Sequence, residues 1–376
     1  MKSDNLSNCN STVAKKTKKF NLIICEENGS TLTFQQKKTA ERLADTFLLF
    51  GVKIEAFCGV SAGPRVTRYE FKPEASQKVS KITRLVDDIS LALGVSGIRL
   101  ICPIPGKLSF GVEVPNDVQK NVEFEEVYSS EQFQKSKDPL CVALGKDLEG
   151  EARIIELSRA PHLLIGGQAG TGKTTLLYSM ILSLMKNNSS EEVKLLLVSP
   201  KKNEFGVFED SDHLYIPIIS DPQEGVKALN ELVEEMVRRF NLLVDKGTRD
   251  ITAYNRNADK PLCRIVVFID EMSLLFKAAP NEFETAVVRI AQLSRAVGIH
   301  LVLATEDTSH KTITGIIKAN IPSRIALSVK TPVESRVILD SCGAERLLSQ
   351  GDMLYQSPAA RYPDRIQGAY VDYNEI

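Results

Sequence analysis

The chain reads Gly167-Gln168-Ala169-Gly170-Thr171-Gly172-Lys173-Thr174, between the apolar run Leu163-Leu164-Ile165 and a segment of helical pattern that begins at Thr175. Glycines at this spacing let backbone N–H groups turn inward around phosphates, and the following helix adds its positive N-terminal end. Lys173 is expected to reach the β- and γ-phosphates of ATP, and the Thr174 hydroxyl to ligate Mg²⁺. A plain glycine-rich turn would leave the lysine and the hydroxyl unexplained. The stretch therefore predicts a P-loop in which residues 167–175 bind nucleotide.

The composition indicates two domains and no global affinity for nucleic acid. With 376 residues, 43% of them hydrophobic, the chain is long enough for two cores. Its 47 basic and 48 acidic residues nearly cancel, so a DNA-binding surface would have to be local. Seven scattered cysteines without a C-x-x-C pair argue against a disulfide framework or a zinc site and favour the cytoplasm. No apolar run approaches the roughly 18 residues of a membrane-spanning helix.

The order of patterns along the chain suggests where the domains lie. Residues 1–19 are rich in Ser, Asn and Lys, which predicts a disordered basic tail. Its lysines either contact DNA or acidic lipid or serve only solubility. Residues 20–135 mix helical and strand patterns without a catalytic constellation and are predicted to form a small α+β domain. Residues 136–376 then alternate strands and helices, which predicts an α/β domain built around a parallel sheet.

An acidic pair follows a buried strand of this second domain. The strand Ile265–Ile269 is apolar throughout and ends in Asp270 and Glu271. Behind a P-loop, this is the Walker B arrangement. Asp270 is predicted to hold Mg²⁺ through water, and Glu271 to orient the water that attacks the γ-phosphate.

Several further segments match a known family. They read GPRVTRYEFKP, VSKITRL, IPGK, ALGKDLEGE, PHLLIGGQAGTGKT, SPKKNEF, IVVFIDE, SRAVGIHLVLAT, GIIKANIPSRIAL, ESRVILD and GAERLLSQGDMLY. Through these segments, residues 36–372 resemble the motor region of the FtsK/SpoIIIE DNA translocases. GIIKANIPSRIAL and GAERLLSQGDMLY are specific to that family, whereas the P-loop is shared by many ATPases.

The resemblance implies a homo-hexameric ring that threads double-stranded DNA and moves along it by hydrolysing ATP. It also implies an α domain over residues 20–135 and a RecA-like β domain over residues 136–376. In such rings one subunit supplies an arginine to its neighbour's nucleotide, and Arg295 matches that position. A guanidinium at the γ-phosphate stabilises the charge that spreads over its oxygens in the transition state. By itself, an arginine at a helix end is an ordinary surface residue.

The sequence departs from the family pattern after its fourth strand. The family has Ala-Thr-Gln-Arg-Pro, whereas this chain has Ala304-Thr305-Glu306-Asp307-Thr308. Glu306 thus replaces the glutamine that senses the γ-phosphate. Asp307 replaces an arginine of the DNA-facing loop, where a carboxylate repels the phosphate backbone.

Two lysines are the candidate DNA contacts. Lys318 is retained on the helix that lines the family's pore, and Lys330 lies near a second basic pore position that is Pro332 here. The family's N-terminal membrane anchor and C-terminal winged helix find no match, so the chain is expected to resemble a bare motor.

Two alternative hypotheses stay open at this point. The chain could be a ring ATPase of a plasmid or mobile element that moves or anchors DNA through a recruiting partner. It could also be a nucleotide-dependent assembly protein whose DNA contact has decayed, as Glu306 and Asp307 suggest.

Overall fold

The computed structural model describes residues 32–201 and 204–372. The predicted basic tail, residues 1–19, and residues 20–31 of the predicted α+β domain lie outside these ranges. Within them the chain contacts divide into two compact units. Residues 61–68, 95–100 and 112–372 belong to the larger unit, and the remaining described segments up to residue 111 belong to the smaller one. The domain boundary near residue 136 stays a prediction.

The described N-terminal residues, from residue 32 onward, form one long helix, two short ones and a four-stranded sheet. The helices are α1 Phe34–Leu49, α2 Val79–Thr83 and α3 Val86–Leu93, and the strands are β1 Ile54–Ala62, β2 Val66–Pro73, β3 Arg99–Ile101 and β4 Phe110–Pro115. The strands are ordered β1-β2-β4-β3. Phe47, Phe57, Phe71 and Phe110 are fully buried, and their rings pack edge-on, tilted or stacked at centroid separations of 5.0–5.9 Å. These contacts form the aromatic core of the smaller unit.

The rest of the chain alternates helices with strands. The strands are β5 Val122–Glu123, β6 Cys141–Lys146, β7 Ala152–Glu156, β8 His162–Gly166, β9 Val193–Val198, β10 Arg264–Ile269, β11 Ile299–Thr305, β12 Ser323–Leu327, β13 Asp352–Gln356 and β14 Asp364–Tyr370. The helices are α4 Phe124–Tyr128, α5 Glu131–Lys135, α6 Lys173–Asn187, α7 Pro222–Asp245, α8 Ile251–Asn255, α9 Met272–Ala278, α10 Pro280–Leu293, α11 Gly315–Asn320 and α12 Pro332–Leu339. Short 3₁₀ turns lie at Gly206–Phe208, Ser294–Val297 and Ala344–Arg346.

The α/β fold predicted from the sequence is confirmed, although the sheet is mixed. Its strands run in the order β7-β6-β14-β13-β12-β8-β11-β10-β9, with β5 paired to β14. Strands β9, β10, β11, β8 and β12 are mutually parallel. Strands β13, β14, β6 and β7 extend this sheet in antiparallel pairs. The predicted parallel arrangement does not hold for these four strands. The pairs β13–β14 and β6–β7 are each joined by a short connection without a crossover helix, and such connections suit antiparallel pairing.

Helices cover both faces of the parallel strands. Leu163 and Ile165 of β8 belong to a core that includes α6, whereas Leu164 belongs to a core that includes α7 and α10. This alternation explains why the strands are apolar throughout, since each of their faces is buried. No helix within the described ranges is both long and apolar enough to cross a bilayer.

Candidate nucleotide-binding site

The P-loop connects β8 to α6 and needs glycine at its last position. Gly172 caps α6 with a left-handed φ of 105°. A Cβ atom there would lie 2.7 Å from the backbone nitrogen of Gly351, closer than packed atoms allow. Both the conformation and the close approach exclude a side chain. The loop therefore presents its backbone and the positive end of a 15-residue helix to the cavity in front of it.

The Lys173 ammonium group lies inside the loop. The residue is 7% exposed, and its Nζ donates hydrogen bonds to the carbonyl oxygens of Gly167, at 2.9 Å, and Gln168, at 2.6 Å. Burial lowers the pKa of Lys173, and the nearby Glu306 carboxylate opposes that shift. A cation held in this position can be transferred from carbonyl to phosphate oxygens without leaving the loop.

Asp270 presents one carboxylate oxygen that no group of the described residues satisfies. Its Oδ2 accepts a hydrogen bond from Ser199 Oγ at 3.0 Å, whereas Oδ1 is buried and has no partner within the described residues. Burial raises the pKa of Asp270 to about 6, against the opposing effect of the Ser199 hydrogen bond. A free, buried carboxylate oxygen and the Thr174 hydroxyl, which lines the adjacent cavity, suit the oxygen preference of Mg²⁺. The residues present therefore fit a magnesium ion.

Glu271 is fixed between the ends of two neighbouring strands. Its Oε1 accepts a hydrogen bond from Thr305 Oγ1 at 2.7 Å, and its Oε2 accepts one from the backbone N–H of Glu306 at 2.8 Å. The backbone N–H of Ser273 adds a 3.3 Å hydrogen bond to Oε1 at the start of α9. Because β10 and β11 are parallel neighbours, their carboxyl ends bring these groups to one edge of the sheet.

Glu306 places a negative charge among the lysines of the site. Its Oε1 lies 2.6 Å from Lys201 Nζ and 3.7 Å from Lys173 Nζ. Although burial acts in the opposite direction, the hydrogen bond from Lys201 and the charge of Lys173 lower the pKa of Glu306. Its side chain is one-third exposed (33%), so solvent screens part of this interaction. This end of the site thus places a carboxylate between two lysine side chains.

Asp307 is turned toward its own loop. Its Oδ1 accepts a hydrogen bond from the backbone N–H of Ser309 at 3.2 Å, its Oδ2 accepts one from Thr312 Oγ1 at 2.9 Å, and Lys277 Nζ lies 3.7 Å away. These contacts organise the segment between β11 and α11.

A cavity of about 640 Å³ lies in front of the P-loop. Besides P-loop residues, the cavity is lined by side chains from distant segments that were not predicted as site residues, among them Arg65, Asn121, Lys201, Glu204, Gln350, Met353 and Tyr370. Five of these seven lie in segments that carry the family resemblance: Arg65 in GPRVTRYEFKP, Lys201 and Glu204 in SPKKNEF, and Gln350 and Met353 in GAERLLSQGDMLY. The resemblance of these segments to the family could have drawn attention to them, but it did not indicate which of their residues line the cavity.

The remaining predicted site residues lie elsewhere in the larger unit. Arg295 is exposed in the 3₁₀ turn after α10, where its Nε donates a hydrogen bond to the Ser158 carbonyl at 3.0 Å, and it does not line the P-loop cavity. Lys318, only 13% exposed, donates a 2.6 Å hydrogen bond to Asp340. Lys330 is exposed and follows β12. The structure therefore brings together the P-loop, Walker B and Glu306 residues, but not Arg295, Lys318 or Lys330.

The fold and this site define a P-loop ATPase. The profile of the FtsK/SpoIIIE family matches residues 123–310, and the profile of the FtsK alpha domain matches residues 25–116. The chain belongs to the FtsK/SpoIIIE family, which confirms the resemblance drawn from its motifs.

Curated relatives and solved structures agree with this placement. The chain is 43% identical to DNA translocase FtsK of Caldanaerobacter subterraneus over 90% of its own length and 48% of the relative's. It is 44% identical to DNA translocase FtsK of Treponema pallidum, over 90% and 43% of the two lengths. The chain thus spans about half the length of the curated relatives it matches.

Two solved structures share the fold. The pCW3 conjugation coupling protein TcpA, in a monomer form with ATPγS, has a TM-score of 0.63 and 22% identity over 90% of this chain and 96% of that one. The cytoplasmic domain of the type VII secretion ATPase EccC from Thermomonospora curvata has a TM-score of 0.59 and 26% identity over 68% and 32% of the two chains.

Proposed function

We propose that this chain hydrolyses ATP and uses the energy to move double-stranded DNA, as a cytoplasmic motor subunit. The observation that carries the proposal is the convergence of Lys173, Asp270 and Glu271 at one edge of the sheet, in a chain of the FtsK/SpoIIIE family. The curated relatives are named DNA translocases. We therefore expect duplex DNA to raise the rate of ATP hydrolysis, which a steady-state ATPase assay measures.

The roles follow from the positions of the groups. Lys173 and the P-loop N–H groups bind the phosphates, while Thr174 and Asp270 would hold a magnesium ion, which would supply neutralisation of the phosphate charge. Glu271 accepts a proton from the attacking water, its carboxylate held in place by Thr305 and the backbone of Glu306. Because these groups are fixed by the fold, little reorganisation accompanies the reaction.

A homo-hexameric ring would explain the position of Arg295. The guanidinium does not line the cavity of its own chain and is exposed at the start of a 3₁₀ turn. In a ring it can face a neighbour's γ-phosphate, where arginine stabilises transition-state charge. We propose that Arg295 acts in this way, between subunits.

The second candidate is a ring ATPase or assembly protein whose contact with DNA has decayed or has passed to a recruiting partner. Lys318, a predicted DNA contact, is paired with Asp340 and mostly covered, which favours this alternative. Exposed Lys330 remains the other proposed contact. The alternative predicts ATP hydrolysis that duplex DNA does not change.

Replacement of Glu306 by Gln is expected to tighten ATP binding. The carboxylate lies 3.7 Å from Lys173 and therefore competes with the γ-phosphate for that ammonium group. Removing one partly screened negative charge should lower the Kd for ATP by about tenfold, with a smaller effect on ADP, which lacks the γ-phosphate. Titration with ATPγS and ADP by isothermal calorimetry measures both changes.

Asp307→Asn is the matched control, because that neighbouring carboxylate contacts its own loop and Lys277. It should leave both affinities near those of the unmodified protein. If Glu306→Gln instead weakens ATPγS binding, the carboxylate assists the nucleotide and the proposed competition does not occur.

A further inference from the structure

Arg65 is a buried arginine that lines the P-loop cavity. It lies in the turn between β1 and β2, belongs to the larger compact unit, and is 5% exposed. Burial of a guanidinium removes a permanent charge from water, which is costly unless the charge finds partners. The question is therefore what this side chain binds.

Two hydrogen bonds hold the guanidinium and occupy two of its five N–H groups. Nη2 donates to Asn121 Oδ1 at 2.9 Å, and Nη1 donates to the carbonyl of Ser349 at 3.2 Å. Nε is buried and has no hydrogen-bond partner within the described ranges. Both acceptors are uncharged. Among the described residues, the guanidinium is therefore oriented by neutral hydrogen-bond partners and not by a carboxylate. Burial lowers the pKa of Arg65, and the charge of Asp352 opposes this shift only in part.

The surroundings of Arg65 connect it directly to the P-loop. Two residues beyond Ser349, the backbone N–H of Gly351 donates a hydrogen bond to the Thr171 carbonyl at 2.8 Å. Gln350, in the same segment, has a positive φ of 65° and lines the cavity. The segment that accepts a hydrogen bond from Arg65 thus packs against the phosphate-binding loop itself.

The strand order shows which part of a nucleotide Arg65 would meet. Strands β11 and β10 lie on one side of β8. Glu306 follows β11, and the acidic pair Asp270 and Glu271 follows β10, so this side is proposed to hold the γ-phosphate. On the other side lie β12, β13 and β14, next to the segment that holds Arg65. With the phosphates bound by the P-loop, the nucleoside half of ATP is the part that extends away from the acidic pair, toward Arg65.

We propose that Arg65 is a nucleotide-binding residue whose guanidinium donates one of its remaining N–H groups to an acceptor on the nucleoside half of ATP, a ribose oxygen or a purine nitrogen. Asn121 and the Ser349 carbonyl orient the guanidinium for this contact. The inference rests on the proposed binding of ATP and adds to it a contact from a turn that lies about 100 residues before the P-loop in the sequence.

Competition binding separates this role from a structural one. Displacement of a fluorescent ATP analogue would be measured with ATP and with inorganic tripolyphosphate, which lacks the nucleoside. Arg65→Ala should weaken ATP binding by about tenfold or more, as expected for loss of a hydrogen bond from a charged donor, and leave tripolyphosphate binding unchanged. Arg65→Lys keeps the charge but lacks the planar fork, so it should weaken ATP in the same selective way. Arg361→Ala, at an exposed arginine over the Tyr362 ring, is the matched control.

The outcomes are distinguishable. If the unmodified protein binds neither competitor, the proposed nucleotide site itself is wrong. If it binds ATP but Arg65→Ala and Arg65→Lys bind it equally well, the Arg65 contact is refuted. Equal losses of ATP and tripolyphosphate would assign Arg65 to the phosphates or to the integrity of the loop and would also overturn the proposal. Thermal denaturation shows whether each variant folds. If Arg65→Ala does not fold, the comparison of ATP with tripolyphosphate is made with Arg65→Lys.

Discussion

Replacement of Glu271 by Gln is expected to leave ATP bound but to slow its hydrolysis by at least about a hundredfold. The amide has the shape of the carboxylate but cannot accept a proton from the attacking water. Lys173, which is proposed to bind the phosphates, is unchanged. Single-turnover hydrolysis of radiolabelled ATP, together with the Kd for ATPγS, measures the two effects separately.

The hydrogen bonds of Glu271 supply the control for this experiment. Thr305→Val removes the hydroxyl donor to Oε1 but leaves the carboxylate and the Glu306 N–H contact. It should slow hydrolysis less than Glu271→Gln does, because the base is present and only less well oriented. Hydrolysis by Glu271→Gln at the unmodified rate would mean that another group accepts the proton. A parallel loss of ATPγS binding would mean that Glu271 acts in binding rather than in the chemical step.

Replacement of Arg295 by Ala is expected to lower the ATPase rate of the assembled protein by about a thousandfold, the effect of losing an arginine finger. Binding of ATP should change little, because Arg295 does not line the cavity of its own chain. Arg289→Ala is the matched control, since Arg289 is exposed on the preceding helix α10. Steady-state ATPase rates at equal subunit concentration give the comparison.

Mixing two inactive variants tests whether Arg295 acts between subunits. In a mixture of Lys173→Ala and Arg295→Ala, an Arg295→Ala subunit keeps an intact P-loop and can receive an arginine from its Lys173→Ala neighbour. Activity should therefore reappear in the mixture, although neither variant is active alone. If mixed oligomers form, as shown by co-purification of differently tagged subunits, and remain inactive, Arg295 does not act across an interface.

The convergence of the P-loop and the acidic pair was predictable because each motif is local. Lys173 and Thr174 follow β8 across the P-loop, and Asp270 and Glu271 follow β10 directly, so one buried strand and the residues after it define each half of the site. Parallel strands then bring these ends together whatever the length of the connections. To predict that these residues converge, it was enough to recognise the strands as parallel, and the full order of strands in the sheet was not needed.

The other wall of the cavity could not be predicted in this way. Arg65 contacts Ser349 across 284 residues of sequence, and the contact depends on a turn and a loop rather than on a periodic element. The antiparallel half of the sheet was missed for a related reason. Short apolar segments such as β6 and β14 show that a strand is buried, but not which way it runs beside its neighbour.

Asp307 illustrates the limit of a residue-by-residue comparison with a family. From the sequence, a carboxylate in place of a DNA-facing arginine predicts repulsion of the phosphate backbone. In the structure that carboxylate accepts hydrogen bonds from Ser309 and Thr312 and so orders its own loop. The direction of a side chain depends on donors a few residues away, which the substitution alone does not reveal.

The central claim is that ATP hydrolysis by this chain is coupled to duplex DNA. The most direct measurement is the steady-state ATPase rate with and without linear duplex DNA, at low and moderate salt, with Lys173→Ala as the inactive control. The account predicts stimulation by DNA that fades as salt rises, because lysine and arginine contacts to phosphates release counterions. A Lys173-dependent rate that DNA leaves unchanged at low salt would contradict it.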